Sequence, residues 1–169
     1  MEDIVNRVAK SRLITIDLED YYPDGKRTLL DIKDWLCEGL TLKEKEFRST
    51  LINFDWQQFK NHQVALHCSS EAIVPAWAYM LIQTHLCGVA KTVVVGALET
   101  LETVLYTSII NELDLSFCTD KPVIVKGCSN KPVPPNAYLL LIEKLQPIAK
   151  SIMYGEACSA VPLFKKNKS

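Results

Sequence analysis

Val64-Ala-Leu-His-Cys-Ser-Ser opens a stretch of sequence, residues 64–96, that occurs a second time in the chain. A shift of 59 residues places 64–96 on 123–155 without a gap, and 11 of the 33 paired positions carry the same residue. Ordinary composition gives roughly two identities over such a length. The identical pairs are Val64/Val123, Ser70/Ser129, Val74/Val133, Pro75/Pro134, Ala78/Ala137, Tyr79/Tyr138, Leu81/Leu140, Leu86/Leu145, Ala90/Ala149, Lys91/Lys150 and Gly96/Gly155. An internal repeat of this kind indicates one supersecondary unit used twice.

Each copy has the pattern of a strand, a turn, a helix and a second strand. The apolar runs at 64–67 and 123–126 predict buried strands. Pro75 and Pro134 precede apolar segments with helical spacing, and proline is well tolerated where a helix begins. Consecutive parallel strands joined by helices need both sheet faces covered. The repeat therefore predicts a three-layer α/β fold, with a mixed, mostly parallel sheet and helices on both faces.

The remaining segments predict one α/β domain over 1–169, with an N-terminal elaboration at 1–60 and the duplicated β-α-β core at 61–169. Residues 13–20 alternate apolar and polar side chains, which predicts a strand, and 28–32 is the expected hairpin partner. The spacing of apolar residues predicts helices over 43–54 and 97–113.

Composition excludes several classes of protein. The net charge is −1 and the pI about 6.3, which argues against a nucleic-acid partner. No apolar run reaches the roughly 20 residues of a membrane span, and the first residues lack the apolar core of an export signal. The six cysteines, in a chain with no such signal, predict reduced or metal-bound thiols in the cytoplasm.

Three cysteines fall where predicted strands end. Cys68 and Cys128 follow the first strand of each copy, and Cys158 follows the last strand of the second copy. Ligands collect beyond the carboxyl ends of strands in α/β sheets, so one site could gather all three thiols. Three thiolates supply most of a zinc site or the ligands of an iron–sulfur cluster, which predicts a cytoplasmic metal-binding accessory protein. The candidates for a fourth ligand are His67, Glu99, Glu156 and Asp17.

Two other interpretations stay open. Cys128 lies between Lys126 and Lys131 in a turn that leads into a helix, a setting that favours the thiolate, and this predicts a thiol-dependent enzyme or sulfur carrier. Alternatively, the cysteines only pack, and the protein is a non-catalytic scaffold or binding module, expected as a homodimer. The turns lack a nucleotide-binding glycine pattern.

Several long segments resemble the bacterial domain-of-unknown-function family 2480. They are Ile4-Val-Asn-Arg-Val-Ala, Leu13-Ile-Thr-Ile-Asp-Leu-Glu-Asp, Asp31-Ile-Lys-Asp-Trp-Leu, Ile73-Val-Pro-Ala-Trp-Ala-Tyr-Met-Leu, Lys126-Gly-Cys-Ser and Ala149-Lys-Ser-Ile-Met-Tyr-Gly-Glu-Ala-Cys-Ser-Ala-Val-Pro. The resemblance implies a cytoplasmic protein and assigns no catalytic residues. It also implies a link to iron–sulfur assembly genes, and therefore iron–sulfur assembly proteins as partners.

Overall fold

A computed structural model describes residues 13–127 and 130–167 of the chain. The chain divides into two compact units. We call Pro23–Leu105 the central unit, and we call Met1–Tyr22 together with Tyr106–Ser169 the terminal unit. The residues predicted as an N-terminal elaboration contribute to both units. That the whole chain is one domain stays a prediction.

The described residues form seven β-strands and four α-helices. In order they are β1 (Ile14–Ile16), β2 (Arg27–Asp31), α1 (Glu44–Asn53), β3 (Gln63–His67), α2 (Ala76–Leu86), β4 (Thr92–Val95), α3 (Leu98–Glu112), β5 (Pro122–Val125), α4 (Pro135–Leu145), β6 (Ser151–Glu156) and β7 (Ser159–Lys165). Helices at 44–53 and 98–112 confirm the two helices predicted outside the repeat.

The central unit is a parallel sheet in the order β2-β3-β4, covered on both faces. Val64 and Leu66 of β3 belong to a buried cluster with residues of α1 and α2. Ala65, which points to the opposite face, packs with Leu101 and Leu105 of α3. This arrangement of helix, sheet and helix confirms the three-layer α/β class.

The terminal unit holds a second sheet in the order β1-β5-β6-β7. Its first three strands are parallel, and β7 runs antiparallel to β6. Val123, Val125 and Ile152 lie in one buried core with Leu141 and Leu145 of α4. The strands are thus mostly parallel, as predicted, but they form two sheets where one was expected.

The internal repeat is confirmed in the folded chain. Helix α2 begins at Ala76 and α4 at Pro135, and the two helices end at Leu86 and Leu145, so both boundaries are related by the same 59-residue shift. Gly96 and Gly155 close the two copies with φ angles of 142° and 118°. Such angles are readily adopted only by glycine, which explains the identity at this position.

In the folded chain the structural repeat also includes β1 and β2, which lie outside 64–96 and 123–155. Strand β1 pairs with β5 and β2 pairs with β3 in the same register, so that Ile14 lies opposite Val123 and Thr28 opposite Val64. Residues 13–22 are therefore the structural counterpart of 27–36. The offset here is 14 residues instead of 59, and the alignment of 64–96 with 123–155 could not reveal it.

Two local predictions about the N-terminal region are wrong. Residues 13–20 form a strand only at Ile14–Ile16, and a 3-10 helix follows at Leu18–Tyr21. The expected hairpin between 13–20 and 28–32 does not form, because β1 and β2 belong to different sheets and each pairs in parallel with a later strand.

No helix among the described residues has the length and apolar character needed to cross a membrane.

Candidate functional site

The first candidate region lies at the carboxyl ends of β2 and β3 in the central unit. Asp31 Oδ1 accepts hydrogen bonds from the backbone N–H groups of Lys33, at 3.0 Å, and Ser69, at 3.1 Å. Its Oδ2 lies 3.6 Å from His67 Nε2. Burial acts to raise the pKa of Asp31, but the hydrogen bonds from Ser69 and Lys33 and the nearby His67 outweigh it and hold the pKa below its ordinary value. Asp31 thus links the turn after β2 to the turn after β3 through hydrogen bonds.

The terminal unit has the same arrangement at the carboxyl ends of β1 and β5. Asp17 Oδ1 accepts a hydrogen bond from Glu19 N at 2.9 Å, and Asp17 Oδ2 lies 3.2 Å from Lys126 Nζ. The hydrogen bond to Asp17 and the charges of Asp17, Glu156 and Glu19 raise the pKa of Lys126. Glu19 Oε1 accepts a hydrogen bond from Asn130 N at 2.9 Å.

These two pairs are equivalent by the repeat. Asp17 corresponds to Asp31 through the 14-residue offset, and Lys126 corresponds to His67 through the 59-residue shift. This equivalence was not predicted from the sequence, although Ile16-Asp-Leu and Leu30-Asp-Ile share the pattern of an aspartate between two aliphatic residues. Both carboxylates accept backbone hydrogen bonds in turns and lie beside a basic side chain, an arrangement that stabilises the ends of the strands.

Cys68 is half-buried in the turn after β3. Its Sγ lies within hydrogen-bonding distance of Ser70 Oγ, at 3.2 Å, and Ser70 Oγ accepts a hydrogen bond from Ala72 N at 3.4 Å. Tyr79, in the first turns of α2, has a raised pKa because its hydroxyl is partly buried and because Cys68 lies near it. The thiol therefore has polar neighbours within its own unit.

The three thiols predicted to share a site were expected at the edge of one sheet. Cys68 follows a strand of the central sheet, whereas Cys158 is exposed in the turn between β6 and β7 of the terminal sheet. Cys128 lies outside the described residues. Within 13–127 and 130–167, no three His, Cys, Asp or Glu side chains are grouped as metal ligands would be. Ligation of a metal by Cys68, Cys128 and Cys158 stays a prediction.

The candidate fourth ligands are engaged in different ways. His67 pairs with Asp31, and Asp17 pairs with Lys126. Glu156 ends β6 and contributes to the raised pKa of Lys126. Glu99 is exposed in the first turn of α3. Their roles as ligands, like the cofactor itself, stay predictions.

A second candidate region is a cleft of about 720 Å³ in the central unit. We call it the Trp77 cleft. One wall is the loop before α1, the other is the loop after β3, and the start of α2 completes it. Its lining residues are Leu40, Thr41, Leu42, Glu44, Glu71, Ala72, Ile73, Pro75 and Trp77. Pockets that bind small molecules or peptide side chains commonly enclose 300–1,000 Å³, so the volume suffices for a ligand.

The loop before α1 is held by a tight turn. Cys37 N donates a hydrogen bond to Thr41 O at 2.8 Å, and Thr41 N donates to Cys37 O at 3.1 Å. Glu38 and Gly39 within the turn have positive φ angles of 53° and 68°. This turn holds Leu40 outward, with 62% of its surface exposed. An apolar side chain is thus fixed at one wall of the Trp77 cleft.

Trp77 is held in place from the core side. Its ring meets Phe47 edge-on, with 6.0 Å between ring centres, and the Arg48 guanidinium lies 5.7 Å from the ring centre. Arg48 Nε in turn donates to Glu44 Oε1 at 2.8 Å. On the opposite wall, Ile73 is 93% exposed. A rigid aromatic residue flanked by exposed aliphatic residues is typical of a surface that binds another molecule.

Sequence reasoning did not identify the Trp77 cleft. Ile73-Val-Pro-Ala-Trp indicated only the start of a helix, and the loop at 36–43 had no predicted role. The two walls are about 30 residues apart in the chain, so their proximity follows from the pairing of β2 with β3. No signal within either segment could have revealed it.

Comparison with protein families shows which family the chain resembles along nearly its whole length. The sequence profile of a family described as "Protein of unknown function" matches residues 2–166. Neither the curated proteins nor the solved structures contain a significant match to the chain.

Proposed function

The chain belongs to the domain-of-unknown-function family 2480, and from its own geometry we propose that it is a cytoplasmic, non-catalytic binding module. Its Trp77 cleft would receive an apolar segment of a partner protein that carries a lysine or arginine. The observation that supports this most directly is the exposure of Ile73 and Leu40, 93% and 62%, on opposite walls of one cleft.

The apolar character of the walls supports an apolar ligand. Covering a fully exposed isoleucine or leucine side chain contributes about 1.5–3 kcal/mol. Trp77 and Pro75 add rigid apolar surface between the two walls, so little conformational entropy is lost when a ligand binds. Because the cleft is open to solvent along Ile73, an extended peptide segment fits it better than a small molecule, which usually requires enclosure.

The charged residues of the cleft support a basic group on the ligand. Glu44 and Glu71 both line the cleft. Glu44 shares its carboxylate with Arg48, whereas Glu71 is exposed and forms no ion pair among the described residues. A lysine or arginine beside the apolar side chain of the ligand would complement Glu71.

The five cysteines of the described residues are free thiols, which suits the reducing cytoplasm.

The metal-binding hypothesis predicts bound zinc or iron that depends on Cys128, whereas the binding module requires no metal. Elemental analysis of protein purified anaerobically without chelator, together with its visible spectrum, separates them. Near-stoichiometric zinc or a brown iron–sulfur chromophore, lost in Cys128→Ser, would replace the proposed function with a metal-binding one.

The binding module is tested by selecting phage-displayed peptides on the purified protein. Selected sequences should combine isoleucine, leucine or valine with lysine or arginine. Synthetic versions should bind at least about tenfold more weakly to Ile73→Ser, a loss of roughly 1.4 kcal/mol. Glu71→Lys should weaken binding as well.

Two matched controls make the result specific. Ile52→Ser replaces an aliphatic side chain that is 75% exposed on α1 and does not line the cleft. Glu99→Lys reverses an exposed charge on α3. Peptides that bind Ile73→Ser and Ile52→Ser equally, or a selection that yields no shared pattern, would contradict the proposal.

A further inference from the structure

The two copies of the repeat differ at the outer edge of their last strand. In the terminal unit that edge, on β6, is covered by β7, which pairs with it in antiparallel orientation from Ser151↔Lys165 to Glu156↔Ser159. In the central unit the equivalent strand, β4, is the last of its sheet. The chain after β4 turns at Gly96 into α3 and returns no strand to this edge within the described residues. The repeat itself thus indicates what the open edge accepts: an antiparallel strand.

Strand β4 lacks the features that keep an exposed edge from pairing. Natural edge strands commonly carry charged residues or proline. Edge strand β7 has both, in Pro162 and Lys165, and β2 has Arg27 and Asp31 at its ends. The sequence of β4 is Thr-Val-Val-Val, and Val95 is 52% exposed. It is therefore an uncharged strand of high β propensity with an open edge.

An apolar groove runs beside the open edge. It encloses about 320 Å³ between α2 and β4 and is lined by Leu66, Tyr79, Met80, Gln83, Val93, Val94 and Val95. Met80 is 66% exposed. A strand added to β4 would bring its own side chains over this groove, so pairing of the backbone would be accompanied by burial of apolar surface.

We propose that β4 pairs with β4 of a second copy in antiparallel orientation, forming a homodimer with a continuous six-stranded sheet across a twofold axis. A twofold interface needs a surface complementary to itself, and an uncharged valine strand meets this need. With Val94 on the axis, Val93 faces Val95 of the second copy, and Lys91 faces Ala97 instead of another lysine. The interface is separate from the Trp77 cleft, which is lined by residues of 40–44 and 71–77.

The mass in solution tests the proposal. Sedimentation equilibrium at micromolar concentrations should give twice the chain mass of 19.1 kDa. Val95→Lys should weaken dimerisation by at least about tenfold, because it places a charge at the edge. The control Leu29→Lys changes a 45%-exposed residue of β2, at the opposite edge of the same sheet, and should leave the dimer unchanged.

A crosslink provides a second measurement that does not depend on the stability of Val95→Lys. On the twofold axis the two Val94 Cα atoms would lie about 4.5–5.5 Å apart, within disulfide range. Val94→Cys should therefore yield a covalent dimer on mild oxidation at a much higher yield than Leu29→Cys. A monomer at every concentration tested, or a dimer equally sensitive to Val95→Lys and Leu29→Lys, would overturn the proposal.

Discussion

Arg27 and Glu102 form a bidentate ion pair inside the central unit, with Arg27 Nε 2.7 Å from Glu102 Oε1 and Nη2 3.2 Å from Oε2. The pair joins the start of β2 to α3 across 75 residues of sequence. Arg27 Nη1 also donates to the carbonyl groups of Pro23 and Gly25, at 2.6 and 2.7 Å. The two side chains are only 13% and 6% exposed, so the ion pair compensates for part of the hydration that both charges lose on burial.

Replacing Glu102 by glutamine should reduce the free energy of unfolding by about 3 kcal/mol, because the change removes the negative charge that faces the buried Arg27 guanidinium. Urea unfolding monitored by circular dichroism measures this. The control is Glu44→Gln, which breaks the exposed pair with Arg48 and should cost no more than about 0.5 kcal/mol. Equal effects of both changes would show that burial of the Arg27–Glu102 pair is unimportant.

Lys144 should be a strong stabiliser of the terminal unit. Its Nζ donates to the carbonyl groups of Ile110, Asn111 and Leu113, at 2.7, 3.1 and 2.8 Å, at the end of α3, where carbonyl groups have no N–H four residues further along the helix. Lys144→Met keeps the aliphatic stem and removes the charge. We expect a loss of about 1–3 kcal/mol in the free energy of unfolding.

The matched control for Lys144→Met is Lys150→Met, which removes a charge from an exposed lysine of the same unit. It should change the free energy of unfolding by less than about 0.5 kcal/mol. If both variants unfold at the same denaturant concentration, the ammonium group of Lys144 does not cap α3 in solution.

The closing glycine of the second repeat should not tolerate a side chain. At Gly155, φ is 118° and an added Cβ would lie 2.9 Å from the backbone O of Ser159, so the hairpin to β7 would have to shift. Gly155→Ala should cost at least about 2 kcal/mol. Gly88→Ala, at φ 77° but with nothing within 4 Å of its Cβ, should cost less, near 1 kcal/mol. Thermal denaturation that ranks the two variants in the reverse order would contradict this.

Asp31 should contribute stability that disappears in acid. Its pKa is lowered from the ordinary 3.8 in the folded chain, so its contribution is complete above that value and is lost as the pH falls through the folded pKa. Asp31→Asn should destabilise the protein at neutral pH and show a smaller further loss below pH 3.8 than wild type does. Asp34→Asn, at an exposed position in the same turn, is the matched control and should change the free energy of unfolding at neutral pH by less than about 0.5 kcal/mol.

The amino-acid sequence determined the local elements of this protein. The 59-residue repeat predicted two β-α-β copies, and α2 and α4 occupy the same positions within them. Helices and buried strands are specified by the spacing of apolar residues within a few turns of chain, so that information is present in each segment. The α/β class and the predominance of parallel strands followed from the same patterns.

Tertiary structure alone decided which strands pair and what those pairings bring together. Strand β1 joins β5 and β2 joins β3, which produces two sheets and places Cys68 and Cys158 on different ones. A strand's own residues specify which face is apolar and carry little information about which distant strand will be its neighbour. For the same reason, three features exist only in the folded chain, where segments far apart in sequence meet. They are the Trp77 cleft, the Arg27–Glu102 pair and the open edge of β4.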